Sequence, residues 1–311
     1  MRQALISFPL FGEDFVLNPP ASFSIGGFDI YLYGVVIALG FLLGVFYVSR
    51  IKERIGVTME QMYDVLIFAV PSAIVGARLY YVIFNWPLYA GDFWGVFRIR
   101  DGGLAIYGGV IGTVIALVLR CRAKKMPVGS GLDIAAFGLP VGQCIGRWGN
   151  FFNREAYGYE TDVFCRMGLT PPGGETVYVH PTFLYESLWN LLGLIILHTV
   201  CKKHRKYTGQ FFILYVAWYG VGRAMIEGLR ADSLWLVPGV IRVSQLLAAV
   251  SAAVAIALYL INDRRLKKGL PPALGGALDG GNISGIMEKT DDHSEAPSQE
   301  TGEGDPQEKE S

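Results

Sequence analysis

The feature that most constrains this chain is a series of apolar stretches, each roughly 18–22 residues long, separated by short polar segments. An α-helix needs about that length to cross about 30 Å of hydrocarbon. Composition agrees, because 52% of the residues are hydrophobic and only 17% are charged, whereas soluble domains are about one quarter charged. These stretches also mostly lack the polar face of a soluble helix. The sequence therefore predicts an all-α, polytopic membrane protein.

Seven transmembrane helices are predicted, and basic residues set their orientation. The predicted spans are 30–49, 62–84, 104–119, 132–148, 182–200, 209–227 and 241–260. Clusters of lysine and arginine follow the first, third, fifth and seventh spans, at 50–54, 120–125, 202–206 and 264–268. Short loops rich in these residues stay in the cytoplasm, and an odd number of spans places all four clusters on one side. We therefore predict an outward N-terminus and an inward C-terminus.

The end of the chain differs from the rest in charge. From residue 277 onward there are ten acidic residues and two lysines, which leaves 25 basic and 17 acidic residues in the preceding part. This tail is nearly free of aromatics, so it cannot bury enough apolar surface to offset the entropy lost on ordering. We predict a transmembrane domain at 1–270 and a disordered acidic cytoplasmic tail at 271–311.

Charged side chains within the predicted spans, or at their outer ends, mark candidate functional positions. Arg147 and the pair Arg223 and Glu227 lie at the outer ends of the fourth and sixth spans, and Arg78 lies inside the second. A charge at bilayer depth costs a few kcal/mol or more and needs an internal partner. Guanidinium groups that share a cavity suggest an anionic ligand, because they bind phosphate through paired hydrogen bonds. In a membrane, the obvious anion is a phospholipid headgroup.

Structural readings compete with these functional ones. Arg154 and Arg230 can reach lipid headgroups or pack in a loop. Arg223 and Glu227 are spaced i,i+4 on one helix face, where an ion pair can simply hold helices together. His180, at the start of the fifth span, is either a base or a residue bonded to a neighbouring loop. Tyr185 and Glu186 follow it at the span entry, where a tyrosine is often an interfacial anchor.

A longer motif connects these positions. Residues 146–158, with the sequence GRWGNFFNREAYG, resemble the signature of the bacterial prolipoprotein diacylglyceryl transferases. Further segments occur in that family's order, namely YLYG at 31–34, GAR at 76–78, YGG at 107–109, HPTFLYE at 180–186, and RAMIE at 223–227 with Arg230. The resemblance covers roughly residues 20–265, and seven spans with an outward N-terminus are also the family's topology.

The resemblance implies an enzyme of the bacterial cytoplasmic (inner) membrane that transfers the diacylglyceryl group of phosphatidylglycerol. Its partners would be phosphatidylglycerol, membrane lipids, and a preprolipoprotein signal peptide whose lipobox cysteine accepts the group; nucleic acid is not expected. The products would be a thioether and glycerol phosphate. Such a reaction needs a thiolate and stabilisation of the departing phosphate. No cofactor is implied, and we predict no metal site.

The resemblance also implies roles for individual residues. The catalytic set would be Tyr107, Arg223 and Glu227, with Arg223 on the leaving phosphate and Glu227 orienting it or assisting proton transfer. The residues that would bind phosphatidylglycerol or shape its site are Arg147, Asn150, Asn153, Glu155, Gly158, Tyr33, Tyr219, Arg78 and His180. Among these, Arg147 would hold the headgroup, Glu155 and Gly158 would fix the loop, and the two tyrosines would line the cavity.

Tyr107 departs from the family pattern, because many members carry a histidine there that has been proposed as the catalytic base. A phenol has a reference pKa near 10 and is a poor base at neutral pH unless a neighbouring arginine lowers that pKa. Tyr107 is then either a tyrosinate or a hydrogen-bond donor to substrate. In the second case, which we favour, Glu227 or His180 takes the thiol proton.

Two other classes of protein fit some of these features. A lipid or small-anion transporter could use the same inward arginines as a binding site. Transporters often contain inverted repeats with broken helices, and no such internal repeat occurs here. A structural membrane subunit could use the Arg223–Glu227 pair to join helices, although that reading leaves the polar outer loops without a role.

Overall fold

The computed structural model describes residues 4–12, 14–99, 102–201, 204–237 and 239–276. The predicted acidic tail beyond residue 276 and two lysines of the third basic cluster lie outside this part. Seven α-helices are present in the described residues: α1 (Leu32–Ile51), α2 (Met59–Phe84), α3 (Ile106–Ala123), α4 (Val128–Asn153), α5 (Thr182–Cys201), α6 (Gln210–Glu227) and α7 (Val243–Lys267).

Six of these helices are long and apolar enough to cross a membrane, and α6 is the exception. It has 18 residues, among which Gln210, Arg223 and Glu227 lower its hydropathy. Each predicted span overlaps one helix, and α4 extends beyond the predicted 132–148 at both ends. The prediction of a helical, polytopic membrane protein is therefore confirmed.

Helix α4 is central to the packing, since it contacts α1, α5 and α6. Glycines permit its close approach to α1, because a Cβ on Gly44 would lie 3.0 Å from the carbonyl oxygen of Gly138. Successive helices alternate in direction. The N-termini of the odd-numbered helices and the C-termini of the even-numbered helices therefore meet at one end of the bundle, here called the polar end. The helix termini next to the four basic clusters form the opposite, basic end.

Short strands accompany the helices, which corrects the all-α prediction to a mostly helical fold. Strands β1 (Leu5–Ser7), β2 (Val16–Leu17), β5 (Met167–Thr170) and β6 (Val177–Val179) form an antiparallel sheet in the order β2-β1-β5-β6. Two hairpins pair β3 (Ser22–Ile25) with β4 (Phe28–Tyr31), and β7 (Trp235–Val237) with β8 (Ile241–Arg242). Strands of two to four residues are too short for an alternating apolar pattern to appear in the sequence.

At the basic end, a buried carboxylate joins α4 to α6. Asp133 is fully buried and accepts hydrogen bonds from the backbone N–H groups of Gly209 at 2.9 Å and Phe212 at 3.1 Å. It therefore caps the N-terminus of α6, where amide groups lack partners within the helix. Arg205 adds an ion pair to Asp133 at 3.0 Å.

We expect Asp133→Ala to lower stability by about 3–5 kcal/mol, because it leaves Arg205 buried without its partner and uncaps α6. Thermal unfolding of the purified protein in detergent, followed by tryptophan fluorescence, measures the effect. The matched control is Lys267→Ala, which removes an exposed ion pair to Asp263 at the same end and should change stability by less than about 1 kcal/mol. Equal unfolding temperatures for the two variants would contradict this role.

Candidate active site

The centre of the polar end is a carboxylate surrounded by three guanidinium groups. Glu186, near the start of α5, has a side chain that is only 4% exposed. Its Oε2 lies 2.5 Å from Nη2 of Arg147, which comes from α4. Its Oε1 lies 2.8 Å from Nη1 of Arg223, on α6, and 3.7 Å from Nη1 of Arg230. We call Arg147, Arg223, Arg230 and Glu186 the arginine cluster.

Two further carboxylates balance the charge of this cluster. Glu227 lies 2.6 Å from Nη2 of Arg223 and accepts a hydrogen bond from the Ser244 hydroxyl of α7. Asp232 accepts two hydrogen bonds from Arg230, at 3.0 and 2.8 Å. The three arginines therefore face three carboxylates. The i,i+4 spacing that places Arg223 and Glu227 on one helix face is confirmed.

A pair of tryptophans fixes the register of α5 against α6. The rings of Trp189 and Trp218 stack with centroids 4.4 Å apart. Each indole N–H donates to the other residue's backbone carbonyl, at 3.0 and 2.9 Å. Gly222 leaves the space that the Trp189 ring occupies. Because Trp189 is one helical turn after Glu186 and Gly222 precedes Arg223, this contact holds the central carboxylate opposite its arginine.

The loop after α4 is fixed by Glu155. Its Oε1 accepts hydrogen bonds from Nδ2 of Asn150 at 3.1 Å and from Nδ2 of Asn153 at 3.2 Å. Helix α4 ends where Arg154 adopts a left-handed conformation, with φ of 50°. The buried Arg154 side chain then donates to the carbonyls of Ala4 and Pro19. Arg154 therefore packs against the N-terminal segment. These contacts favour the interpretation that Arg154 packs in a loop.

Gly158 and His180 join the outer loops. Gly158 donates to the His180 carbonyl at 2.9 Å, and a Cβ on Gly158 would lie 2.6 Å from His180 Cβ and 2.7 Å from the Leu229 carbonyl oxygen. His180 Nδ1 lies 3.2 Å from the Tyr185 hydroxyl, which also contacts the Cys165 thiol. Burial lowers the pKa of His180 and so favours its neutral ring. These contacts favour the loop-bonding reading of His180.

A cavity of about 530 Å³ opens beside the arginine cluster. It runs between α1, α2, α3 and α4 from the polar end towards the basic end, and most of its walls are apolar. Arg147 and Asn150 lie at its polar end, with Tyr33 nearby. Representative apolar side chains along its length are Ile37, Phe41, Val45, Leu66, Ala69 and Ile134.

The three candidate tyrosines have different surroundings. Tyr33 lines the cavity and packs against Gly149, where a Cβ would lie 2.6 Å from the Tyr33 ring. Tyr107 is 42% exposed, and within the described residues its hydroxyl has no hydrogen-bond partner. Tyr219 stacks on Tyr215 with ring centroids 5.8 Å apart and packs against the helix core. Tyr219 is not among the described residues that line this cavity, and its place in the lipid site stays a prediction.

Arg78 has an environment that the sequence did not indicate. Its buried guanidinium donates to the backbone carbonyls of the loop after α2, including Gly95 at 2.6 Å, Val96 at 2.8 Å and Gly102 at 2.7 Å. Within the described residues, these bonds go to the loop rather than to the carboxylates of the arginine cluster. The contacts support a role in holding the loop, and lipid binding by Arg78 stays a prediction.

Glu186 is the main residue of the site that sequence reasoning missed. The sequence places it beside Tyr185 at a span entry and assigns it no role. The available signal was the charge itself, because a carboxylate at the start of an apolar span needs an internal partner by the argument applied to Arg223 and Glu227. Arg230, for which loop packing and function were left open, also belongs to the arginine cluster.

Comparison with known proteins identifies the family of the chain. A family model described as prolipoprotein diacylglyceryl transferase matches residues 20–261. Phosphatidylglycerol–prolipoprotein diacylglyceryl transferases from Bacillus cereus and Bacillus mycoides are each 42% identical to the chain over 249 residues, and one from Bacillus anthracis is 41% identical. Each alignment covers 78% of this chain and 91% of the relative. The chain therefore belongs to the prolipoprotein diacylglyceryl transferase family.

Proposed function

We propose that the arginine cluster binds the phosphate of phosphatidylglycerol and that the apolar cavity holds its acyl chains. The observation that carries this proposal is the position of Arg147, which pairs with Glu186 in the cluster and also lines the cavity. A phospholipid likewise joins a charged part to an apolar part, because its headgroup is attached to long apolar chains. Arginine suits the phosphate because its planar fork of donors stays charged when partly desolvated.

The family's reaction transfers the diacylglyceryl group of phosphatidylglycerol to a prolipoprotein, and the acceptor is proposed to be the lipobox cysteine of the signal peptide. The cysteine sulfur forms a bond to the phosphate-bearing carbon of the diacylated glycerol. The carbon–oxygen bond at that carbon breaks, and its electron pair leaves with glycerol phosphate. The thiol proton passes to a base, and the product is a thioether.

The catalytic roles follow from which groups face the phosphate. Arg223 would stabilise the charge that develops on the leaving phosphate, since preorganised donors act most strongly where charge appears in the transition state. Glu227 holds Arg223 by the 2.6 Å ion pair and is in turn held by Ser244. It would keep Arg223 oriented. We propose it as the proton acceptor in preference to His180, because its carboxylate lies beside Arg223 at the proposed phosphate site, whereas the His180 ring pairs with Tyr185 in the outer loops.

For Tyr107 we propose a hydrogen bond to substrate, because its hydroxyl has no partner among the described residues and its neighbour Ile106 lines the cavity. Tyr107→Phe should then lower kcat/KM about tenfold with an unchanged pH profile, the loss expected for one neutral hydrogen bond. Tyr107→His is the matched comparison. A rise of activity with pH that occurs in the wild type, and not in Tyr107→Phe, would instead indicate a tyrosinate base.

The orientation in the membrane is also a proposal. Seven spans, with α6 as the one that is least apolar, put all four basic clusters on the cytoplasmic side. The N-terminus and the arginine cluster then face outward, and the acidic segment 271–311 forms a cytoplasmic tail beyond the domain at 1–270. Surrounding lipid and an emerging signal peptide would both reach the polar end from there.

We expect a C-terminal epitope tag to resist protease added to intact spheroplasts and to be removed after the membrane is permeabilised. An N-terminal tag should be removed from the intact spheroplasts without permeabilisation. Loss of the C-terminal tag without permeabilisation would contradict the seven-span topology.

A transfer assay tests the proposed function. Purified protein in detergent is incubated with phosphatidylglycerol and a lipobox peptide, and the peptide mass and the released glycerol phosphate are both measured. We expect a mass gain of one diacylglyceryl group and an equal amount of glycerol phosphate. A peptide with serine in place of the cysteine should show neither. Peptide acylated without release of glycerol phosphate would overturn the proposed reaction.

A further inference from the structure

The arginine cluster already contains an anion in the free protein. Both oxygens of Glu186 are engaged, Oε2 by Arg147 and Oε1 by Arg223 and Arg230. The carboxylate is nearly inaccessible, at 4% side-chain exposure, while the arginines are 13–20% exposed. The protein therefore places its own carboxylate on the guanidinium groups that would otherwise be free to bind a phosphate.

Given the proposed function, this arrangement matters because the expected product carries more negative charge than the substrate. Phosphatidylglycerol is a phosphodiester with one negative charge. Glycerol phosphate is a monoester, which carries about −1.5 to −2 at pH 7 because its second pKa is near 6. Three arginines without a fixed counter-charge would therefore hold the product more tightly than the substrate, and turnover would be limited by release of glycerol phosphate.

We propose that Glu186 is a positioning residue that acts as a resident counter-anion, holding the three arginines in place while competing with glycerol phosphate for them. With Glu186, the three arginines face three carboxylates, counting Glu227 and Asp232. Without it, the same groups carry a net charge of +1. The tryptophan pair keeps Glu186 in register with Arg223, so the carboxylate returns to the same contacts when the product leaves.

A purely structural role for Glu186 predicts a different outcome. Glu186 on α5 also joins Arg147 of α4 to Arg223 of α6, so it could serve only to hold three helices together. In that case a neutral replacement would let the arginines separate and would weaken the binding of any anion. A resident counter-anion predicts the opposite, because a neutral replacement removes the competitor.

The test measures anion affinity in the purified full-length protein by isothermal titration calorimetry with glycerol phosphate and, separately, inorganic phosphate. Glu186→Gln should bind glycerol phosphate at least about tenfold more tightly than the wild type, since one unit of negative charge is removed within a few Å of the ligand. In the transfer assay, kcat and KM for phosphatidylglycerol should both fall, and glycerol phosphate should inhibit more strongly.

The matched control is Glu53→Gln, which removes the same charge from an ion pair to Lys52 at the basic end, where the Glu53 side chain is 81% exposed. Its affinity for glycerol phosphate should change by less than about threefold, because solvent screens that pair. If Glu186→Gln does not give folded protein, Glu186→Asp decides the question. It withdraws the carboxylate by one methylene, so our proposal predicts tighter binding of glycerol phosphate, whereas a structural role predicts weaker binding.

Equal or weaker binding of glycerol phosphate by folded Glu186→Gln would overturn the counter-anion role. That result, with normal lipid transfer by the wild type, would leave the proposed function intact. Failure of the wild type to release glycerol phosphate from phosphatidylglycerol would instead refute the proposed function.

Discussion

Replacement of Arg147 by alanine is expected to lower kcat/KM for diacylglyceryl transfer by about 10²–10³-fold, the usual effect of removing one preorganised donor from a developing negative charge. Arg147 is the residue that the cluster and the cavity share, so its loss separates the phosphate site from the acyl-chain site. Folding should persist, because Glu186 keeps its pairs with Arg223 and Arg230. The measurement is the rate at which a lipobox peptide gains mass.

Two further variants test whether the loss of activity is specific to the guanidinium of Arg147. Arg147→Lys keeps the charge but lacks the planar fork of donors, and it should fall between the wild type and Arg147→Ala. Arg98→Ala removes an exposed arginine from the loop after α2 and should leave the rate within about twofold of the wild type, as for most surface changes. Wild-type rates in folded Arg147→Ala would contradict the assignment of this residue.

The second large effect is expected from filling the cavity at Gly142. This residue lines the cavity, and a Cβ built on it meets no other atom within 4 Å. A leucine there begins in open space and extends into the cavity that we assign to an acyl chain. We expect Gly142→Leu to lower the transfer rate at least about tenfold, because the lipid chains and the leucine cannot occupy the same close-packed volume.

The control for Gly142→Leu is Gly142→Ala, which adds only one methyl group and should retain most activity. The unfolding temperature should stay within about 3 °C of the wild type for both variants, since the added atoms enter empty space. If Gly142→Leu transfers diacylglyceryl groups at the wild-type rate, the acyl chains lie somewhere other than in this cavity.

The fold could be predicted from the sequence to the extent that the membrane dictates it. An apolar stretch long enough to cross the bilayer has few choices other than a helix, because every backbone polar group must be satisfied internally. Each of the seven predicted spans therefore overlaps a helix. Where that constraint ends, prediction failed: strands β1 and β5 are set by pairing between the N-terminal segment and the loop after α4, and three or four residues carry too little pattern to reveal it.

The site was predictable where charge and motif coincide, and less so where a contact depends on packing. Arg147, Arg223 and Glu227 were selected because a charge in a membrane span needs a partner, and they meet at one end of the bundle. Glu186 was missed because its partners come from two other helices. The sequence groups Arg78 with the lipid ligands. In the structure, its guanidinium donates to backbone carbonyls of the loop after α2, and sequence spacing does not predict that these carbonyls lie beside it.

The most direct test of the central claim is a structure of the protein with phosphatidylglycerol bound. We expect the lipid phosphate within hydrogen-bonding distance of Arg147 and Arg223, and the acyl chains along the cavity between α1, α2, α3 and α4. A phosphate bound away from these arginines, or acyl chains outside that cavity, would contradict it.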